Sequence, residues 1–175
     1  MIMGLDVSTS MTGVAFVDDN GELVYNEVWD LRKYKNFFIK ANIIKEKIEN
    51  LPYKPQKVFI EQSLQSFRSG FSSAATLSTL SRFNGVVSWI CFSHLGMEPD
   101  YLAATSARKM CGIKVPRGVK AKEVVLKYIL TSEPSFDIVY TKHGNPKPGT
   151  YDKADAIIIA HAGYNLCQKQ KKEES

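Results

Sequence analysis

The chain opens on a short apolar run, Ile2-Met3-Gly4-Leu5, which ends at Asp6 and gives way to the polar residues Ser8 to Thr12. Apolar residues resume in Val14-Ala15-Phe16-Val17, followed by Asp19-Asn20-Gly21 and a further run, Leu23-Val24-Tyr25. Asn-Gly between two apolar runs favours a tight hairpin, because both residues tolerate positive φ. The pattern therefore predicts a three-stranded antiparallel meander whose first strand ends in a carboxylate. Alternate side chains of a strand share a face, so Asp6 projects with Ile2 and Gly4 and no bulky neighbour shields it.

Beyond the meander, Phe37, Ala41, Ile44, Ile48 and Leu51 recur at spacings of three or four and predict an amphipathic helix from Asn36 to about Leu51, ended by Pro52 and Pro55. Lys57-Val58-Phe59-Ile60-Glu61-Gln62 reads as a compact strand that again finishes on an acid. A polar segment from Ser63 to Ser72 carries Phe67, Arg68 and Phe71, and Ala74 to about Leu95 has the small and apolar content of a long buried or dimer-forming helix. Asp100 to Ala103 fits a fifth strand, and Ser106 is placed to cap a short helix through Met110. A loop from Gly112 to Gly118 precedes a helix from Lys120 to about Leu130, with Val124, Val125, Leu126 and Ile129 inward. The Pro- and Gly-rich stretch Lys142 to Gly149 breaks regular structure. A last helix starts near Tyr151, and its small residues Ala156, Ala160 and Gly163 would let it approach a sheet closely. No repeat or linker divides the chain, so residues 1–167 are expected to form one domain and 168–175 a solvated, frayed tail.

Composition narrows the class. At 175 residues, with 44% hydrophobic and 23% charged residues, the chain can bury a substantial core without staples. A net charge of +5 and a pI of about 9.0 favour a polyanionic partner. Cys91, Cys111 and Cys167 lie far apart, without disulfide or zinc-ligand spacing, as expected of reduced thiols in the cytoplasm. With neither a membrane-length apolar run nor a signal-peptide layout, a soluble intracellular protein is expected.

Asp6 and Glu61 end strands, and Asp152 and Asp155, three apart at a helix start, share one face. Taken singly, Asp6 could simply turn the chain, and the two later aspartates could simply complement the helix dipole. Together the four are candidate oxygen ligands, since converging carboxylates repel unless cations sit between them. Such ligands suit Mg²⁺, with Mn²⁺ able to substitute, and two ions roughly 3.5–4 Å apart can drive phosphodiester cleavage. Arg68, Arg108, Lys109, Lys114, Arg117, Lys120, Lys122, Lys142 and Lys147 fall in the segments that would flank these acids, where they could contact phosphate. His161, two turns beyond the aspartates, is read as a packing residue, His143 as a possible ligand or proton carrier, and Trp29 and Trp89 are assigned to the core.

The order of these elements resembles the RuvC-type Holliday-junction resolvases of the ribonuclease H-like superfamily. The matching pieces are Gly4-Leu5-Asp6 with Gly13 seven residues on, Phe59-Ile60-Glu61-Gln62, Gly118 to Val125, and Asp152-Lys153-Ala154-Asp155-Ala156. The resemblance spans Met3 to about Gly163 and implies an α/β ribonuclease H-like fold: a mixed five-stranded sheet, three strands antiparallel and two parallel, flanked by helices. It further implies a homodimeric, magnesium-dependent endonuclease that recognises four-way DNA by shape and nicks opposing strands symmetrically, leaving 5′-phosphate and 3′-hydroxyl ends. On that likeness Asp6, Glu61, Asp152 and Asp155 match the metal-binding acids, Lys122 matches a basic residue near the scissile phosphate, and the helix from Ala74 matches the dimerising one. Arg68, Arg108, Lys109, Lys114, Arg117 and Lys120 would contact DNA. Bacterial members usually follow the first acid with Pro-Gly, where this chain has Val7-Ser8, and Leu64 stands where an aromatic is expected; Phe67 or Phe71, or neither, is left to wedge the junction. These departures suggest a divergent member, viral or carried on a mobile element. Two other readings share parts of the pattern. Sugar kinases and actin-like ATPases open similarly but need two lobes, and a related domain could bind branched nucleic acid without cutting it.

Overall fold

The computed structural model describes residues 1–62 and 73–173. Three strands, β1 (Ile2–Asp6), β2 (Met11–Val17) and β3 (Leu23–Asp30), form the expected antiparallel meander. The β2–β3 turn closes differently from the sequence expectation. The Asp18 carboxylate accepts from the N–H groups of Asn20 and Glu22, both at 2.9 Å, and only Gly21 has positive φ, +88°. The Asx-type closure replaces the left-handed asparagine that the Asn-Gly pair suggested.

Next come α1 (Phe37–Glu49), β4 (Lys57–Glu61), α2 (Ala74–Leu95) and β5 (Asp100–Leu102). Asn36 caps α1, its side chain accepting from Phe38 and Ile39, and Ser73 caps α2 through the Thr76 N–H. β4 adds parallel to β1 and β5 adds parallel to β4, giving the sheet order β3-β2-β1-β4-β5. This is the mixed five-stranded sheet, flanked by helices, that the family resemblance implied.

Three helices complete the chain: α3 (Ala104–Met110), α4 (Ala121–Ser132) and α5 (Thr150–Glu173). Ser106 lies inside α3 and caps nothing; the helix starts two residues earlier, after Ala103, whose side chain makes no capping bond. α5 is longer than expected and carries residues 168–173, anticipated as a frayed tail, in helical form with Lys169 to Glu173 exposed.

The sheet separates two cores. Met3, Leu5, Val14, Phe16, Val58 and Ile60 face α1 and α2, whereas Ile2, Ala15, Val17 and Phe59 face α5 and its neighbours α3 and α4. Trp29 is buried, but Trp89 is 64% exposed, contrary to expectation. The helical period explains this. Phe83, Val87, Ile90 and Cys91 turn α2 toward the sheet, leaving Arg82, Gly85, Trp89 and Phe92 as a second stripe facing outward.

α5 lies on the sheet backbone to backbone. A Cβ on Gly4 would stand 2.4 Å from the Ala160 nitrogen and 2.5 Å from the Ala156 oxygen, and one on Gly13 would stand 2.0 Å from the Asp152 oxygen. Gly163 makes the reciprocal approach, with the Phe59 ring where its own Cβ would be. Gly4→Ala should therefore lower the melting temperature by roughly 5–12 °C, since the intruded atoms are backbone and α5 must shift. An unchanged thermal melt would show that the contact is looser than described.

Candidate metal centre

β1 and β4 run parallel in the register Leu5↔Ile60, so the next residues, Asp6 and Glu61, end side by side at one edge of the sheet. Gly13, paired with Asp6 across β1 and β2, admits the Asp152 backbone against the sheet and sets the start of α5 over the same edge. The first turns of α5 then carry Asp152 and Asp155 there. Carboxylate oxygens of Asp6, Glu61 and Asp155 all lie within 4.8 Å of one another. Asp152 stands outside that trio, yet its charge is felt by all three members. The expected convergence of four acids is thus a cluster of three with a fourth alongside.

The electrostatics are those of crowded acids. Burial holds the Asp6 carboxyl well above the ordinary carboxylate range, and the charges of Glu61, Asp155 and Asp152 push it the same way. Glu61 is raised to about 7, by burial first and then by Asp155. Asp155 is raised to about 6 by burial, with Asp152 adding to it, and burial also raises Asp152. Among the described residues two cations oppose these shifts: exposed Lys122 on the first turn of α4 acts on all four acids, and half-buried Arg108 on α3 acts on Glu61 and Asp155. Oxygen-only donors at this separation, with repulsion still unrelieved, fit a hard divalent cation such as Mg²⁺ or Mn²⁺.

The other sequence candidates among the described residues lie on several elements and differ in their partners. Lys109, Lys114, Arg117 and Lys120 are exposed on α3, the α3–α4 loop and the start of α4, and Lys120 pairs at 3.7 Å with Glu123. Phe67, Arg68 and Phe71 lie outside the described residues. His161 is far from the acids in role: its Nε2 meets Glu133 Oε1 at 2.8 Å, tying α5 to the end of α4. His143 is exposed, and among the described residues it joins no group of candidate metal ligands.

One residue that sequence reasoning passed over supports the site from below. Asn84, 5% exposed in the middle of α2, donates from Nδ2 to the Glu61 carbonyl at 3.1 Å, while its buried Oδ1 has no hydrogen-bond partner among the described residues. It secures the end of β4 from which the Glu61 side chain departs. An amide within the otherwise apolar run Phe83 to Val87 breaks the local pattern, and that break was the available signal.

No family model matches the sequence, and no curated protein is similar to it in sequence. Solved structures do match. Thermus thermophilus RuvC superposes with a TM-score of 0.65 at 18% identity, over 97% of this chain and 96% of that one. The T. thermophilus RuvC in complex with a Holliday junction substrate gives 0.66 at 16% identity, over 96% and 94%. The yeast mitochondrial Holliday junction resolvase gives 0.63 at 13% identity, over 98% and 80%. The chain has the ribonuclease H-like fold of these RuvC-type resolvases along nearly its whole length.

The crowded acids set a pH dependence. A carboxyl whose native pKa lies above its ordinary value contributes its full stability below that ordinary value, 3.8 for Asp155 and 4.5 for Glu61. That contribution is lost as pH rises through the native values of about 6 and about 7. In chelator the wild-type melting temperature should therefore fall between about pH 5 and about pH 8. Asp155→Asn should melt several degrees above wild type near pH 8 and converge with it near pH 5, and millimolar Mg²⁺ should raise the wild type most at the higher pH. Coincident wild-type and variant curves across that window would mean the acids do not strain the fold.

Proposed function

We propose that the chain is a structure-selective DNA endonuclease that resolves four-way, Holliday-type junctions by paired phosphodiester hydrolysis, leaving 5′-phosphate and 3′-hydroxyl nicks. The observation that carries this reading is the trio Asp6, Glu61 and Asp155 at one sheet edge, in a fold shared with proteins that include a RuvC bound to a Holliday junction. Asp6, Glu61 and Asp155 would hold Mg²⁺, or Mn²⁺ in its place, with Asp152 adding a fourth carboxylate. Two such ions would supply an activated water and neutralise charge on the leaving oxygen.

The remaining roles belong to the chain. Lys122, exposed and acting on every acid of the cluster, would meet the scissile phosphate and hold its charge beside them. Arg108 would orient Glu61 and Asp155 and, with Lys109, Lys114, Arg117 and Lys120, bind backbone phosphates. Arg68, Phe67 and Phe71 are proposed contacts at the branch point. The nuclease domain would span residues 1–167 and act inside the cell, where its DNA substrate is. No helix of the described residues is long and apolar enough to cross a membrane.

Symmetric cutting needs two sites, and the outward face of α2 supports a homodimer. Phe37, Phe38, Thr79, Arg82, Gly85, Val86 and Trp89 line an open apolar groove of about 660 Å³, with Phe38 71% and Trp89 64% exposed. Exposed aromatics around a groove favour burial against a second copy.

An immobile four-way junction, end-labelled and incubated with Mg²⁺ or chelator, should receive paired symmetric nicks that its linear arms do not. Asp6→Asn or Glu61→Gln should reduce cleavage by on the order of 10³-fold while junction binding holds or tightens, because repulsion of phosphate falls. Binding without nicking in either metal would instead favour a non-catalytic module. Trp89→Arg should convert the protein from dimer to monomer by light scattering and abolish paired cutting. A dimer that survives this change places the interface elsewhere.

A further inference from the structure

The connection from Glu133 to Gly149, between α4 and α5, does more than join two helices. Its middle folds back on itself, with Tyr140 and Pro146 forming an antiparallel bridge. The Thr141 N–H donates to Asn145 O at 2.8 Å and the Lys147 N–H to Val139 O at 2.8 Å, while Gly144, at φ +77°, turns the tip and donates to Thr141 O at 3.0 Å. A second tie runs from the Asn145 N–H to the Thr141 hydroxyl at 3.3 Å. The segment is a small hydrogen-bonded hairpin.

Both feet of the hairpin are fastened. On one side Phe136 is buried and Ile138 packs against the core under α5, while Lys153 donates to the Asp137 carbonyl at 3.2 Å and lies over the Phe136 ring at 4.8 Å. On the other, the Thr150 hydroxyl donates to Lys147 O at 2.7 Å, and Gly149 fits against the side chains of Val28 and Met11. The hairpin leads straight into the helix that carries Asp152. Asp152 lies five positions beyond Lys147, a reach of at most ~17 Å, or about five base pairs of a strand.

Its chemistry is one-sided. Val139, Tyr140, Lys142, His143, Asn145 and Lys147 are exposed, and no acid occurs from Ile138 to Gly149. Among the described residues neither Lys142 nor Lys147 forms a salt bridge, whereas lysines elsewhere, such as Lys47 and Lys57, do. The bridge puts Tyr140, 51% exposed, on the same face as Pro146. Cations presented on a prefolded backbone lose less entropy on binding than cations on a free loop, which suits a fixed polyanion.

We propose that Val139 to Lys147 is a DNA-gripping hairpin: Lys142 and Lys147 bind backbone phosphates of a duplex arm, and Tyr140 packs on the sugar or on an unstacked base beside them. It holds the arm at the entrance to α5 and so limits how the scissile strand approaches the acids. The inference rests on the junction-nuclease reading and adds a contact surface to it.

The test is binding of the full chain to a labelled four-way junction in chelator, across a salt series, with cleavage measured separately in Mg²⁺. Lys142→Ala/Lys147→Ala should weaken binding about tenfold near physiological salt and reduce the slope of log affinity against log salt by about 2. Lys169→Ala/Lys172→Ala removes the same charge about 30 Å along α5 and should leave both quantities unchanged. Tyr140→Ala should weaken binding roughly 5- to 100-fold with the salt slope intact. All the altered side chains are exposed, so thermal melts should match wild type. Equal affinities and slopes for the hairpin and control double variants, in a wild type that binds and cuts junctions, would overturn this inference alone. A wild type that binds no DNA would overturn the nuclease reading with it.

Discussion

The candidate site depends on how closely one helix can lie on the sheet. With ordinary side chains a helix stands off a sheet by the height of its own residues. Here Gly4 and Gly13 on the sheet, and Ala156, Ala160 and Gly163 on α5, remove those side chains from both surfaces. The Asp152 backbone comes down against Gly13, and Gly13 is the cross-strand partner of Asp6. Moving α5 outward by the height of one methyl group would take Asp155 away from Asp6 and Glu61. The steric constraint and the chemistry are therefore one arrangement, since the residues that close the gap are the neighbours of the acids.

That closeness has an electrostatic cost that the fold tolerates. Burial and mutual repulsion raise the pKa of Asp6, Glu61, Asp152 and Asp155, and among the described residues the charges of Lys122 and Arg108 act in the other direction. Neither cation neutralises the cluster. Lys122 is exposed, and a buried lysine in its place would form ion pairs that remove the demand for a metal. Local rules are broken at the same place on the other face, where Asn84 spends one half of a buried amide on the Glu61 carbonyl and the other half meets no partner among the described residues. Natural sequences accept such departures where a site requires them.

Outside the acid edge, the surface divides by element. The outward stripe of α2 is aromatic and suits a second copy, whereas α3, the start of α4 and the hairpin before α5 are basic and suit a polyanion. The two kinds of surface belong to opposite sides of the sheet, because α1 and α2 cover one face and α3, α4 and α5 the other. A dimer formed through α2 would therefore leave the basic side of each protomer free.

Periodicity and turn residues determined a large part of this protein directly. The meander, the strand ending in Glu61, the limits of α2 and the aspartates at the start of α5 follow from local patterns, because apolar runs and helical spacing record which residues must be buried. The small residues of α5 likewise announced a close approach before any partner was known. Tertiary structure decided what local pattern cannot carry. It set Asp152 beside the trio of acids, turned Trp89 outward, tied His161 to Glu133 and extended α5 to Glu173. It also folded the Pro- and Gly-rich stretch before α5 into a hairpin. Each of these depends on distances between residues remote in sequence, and such distances exist only once the helices have been laid on the sheet.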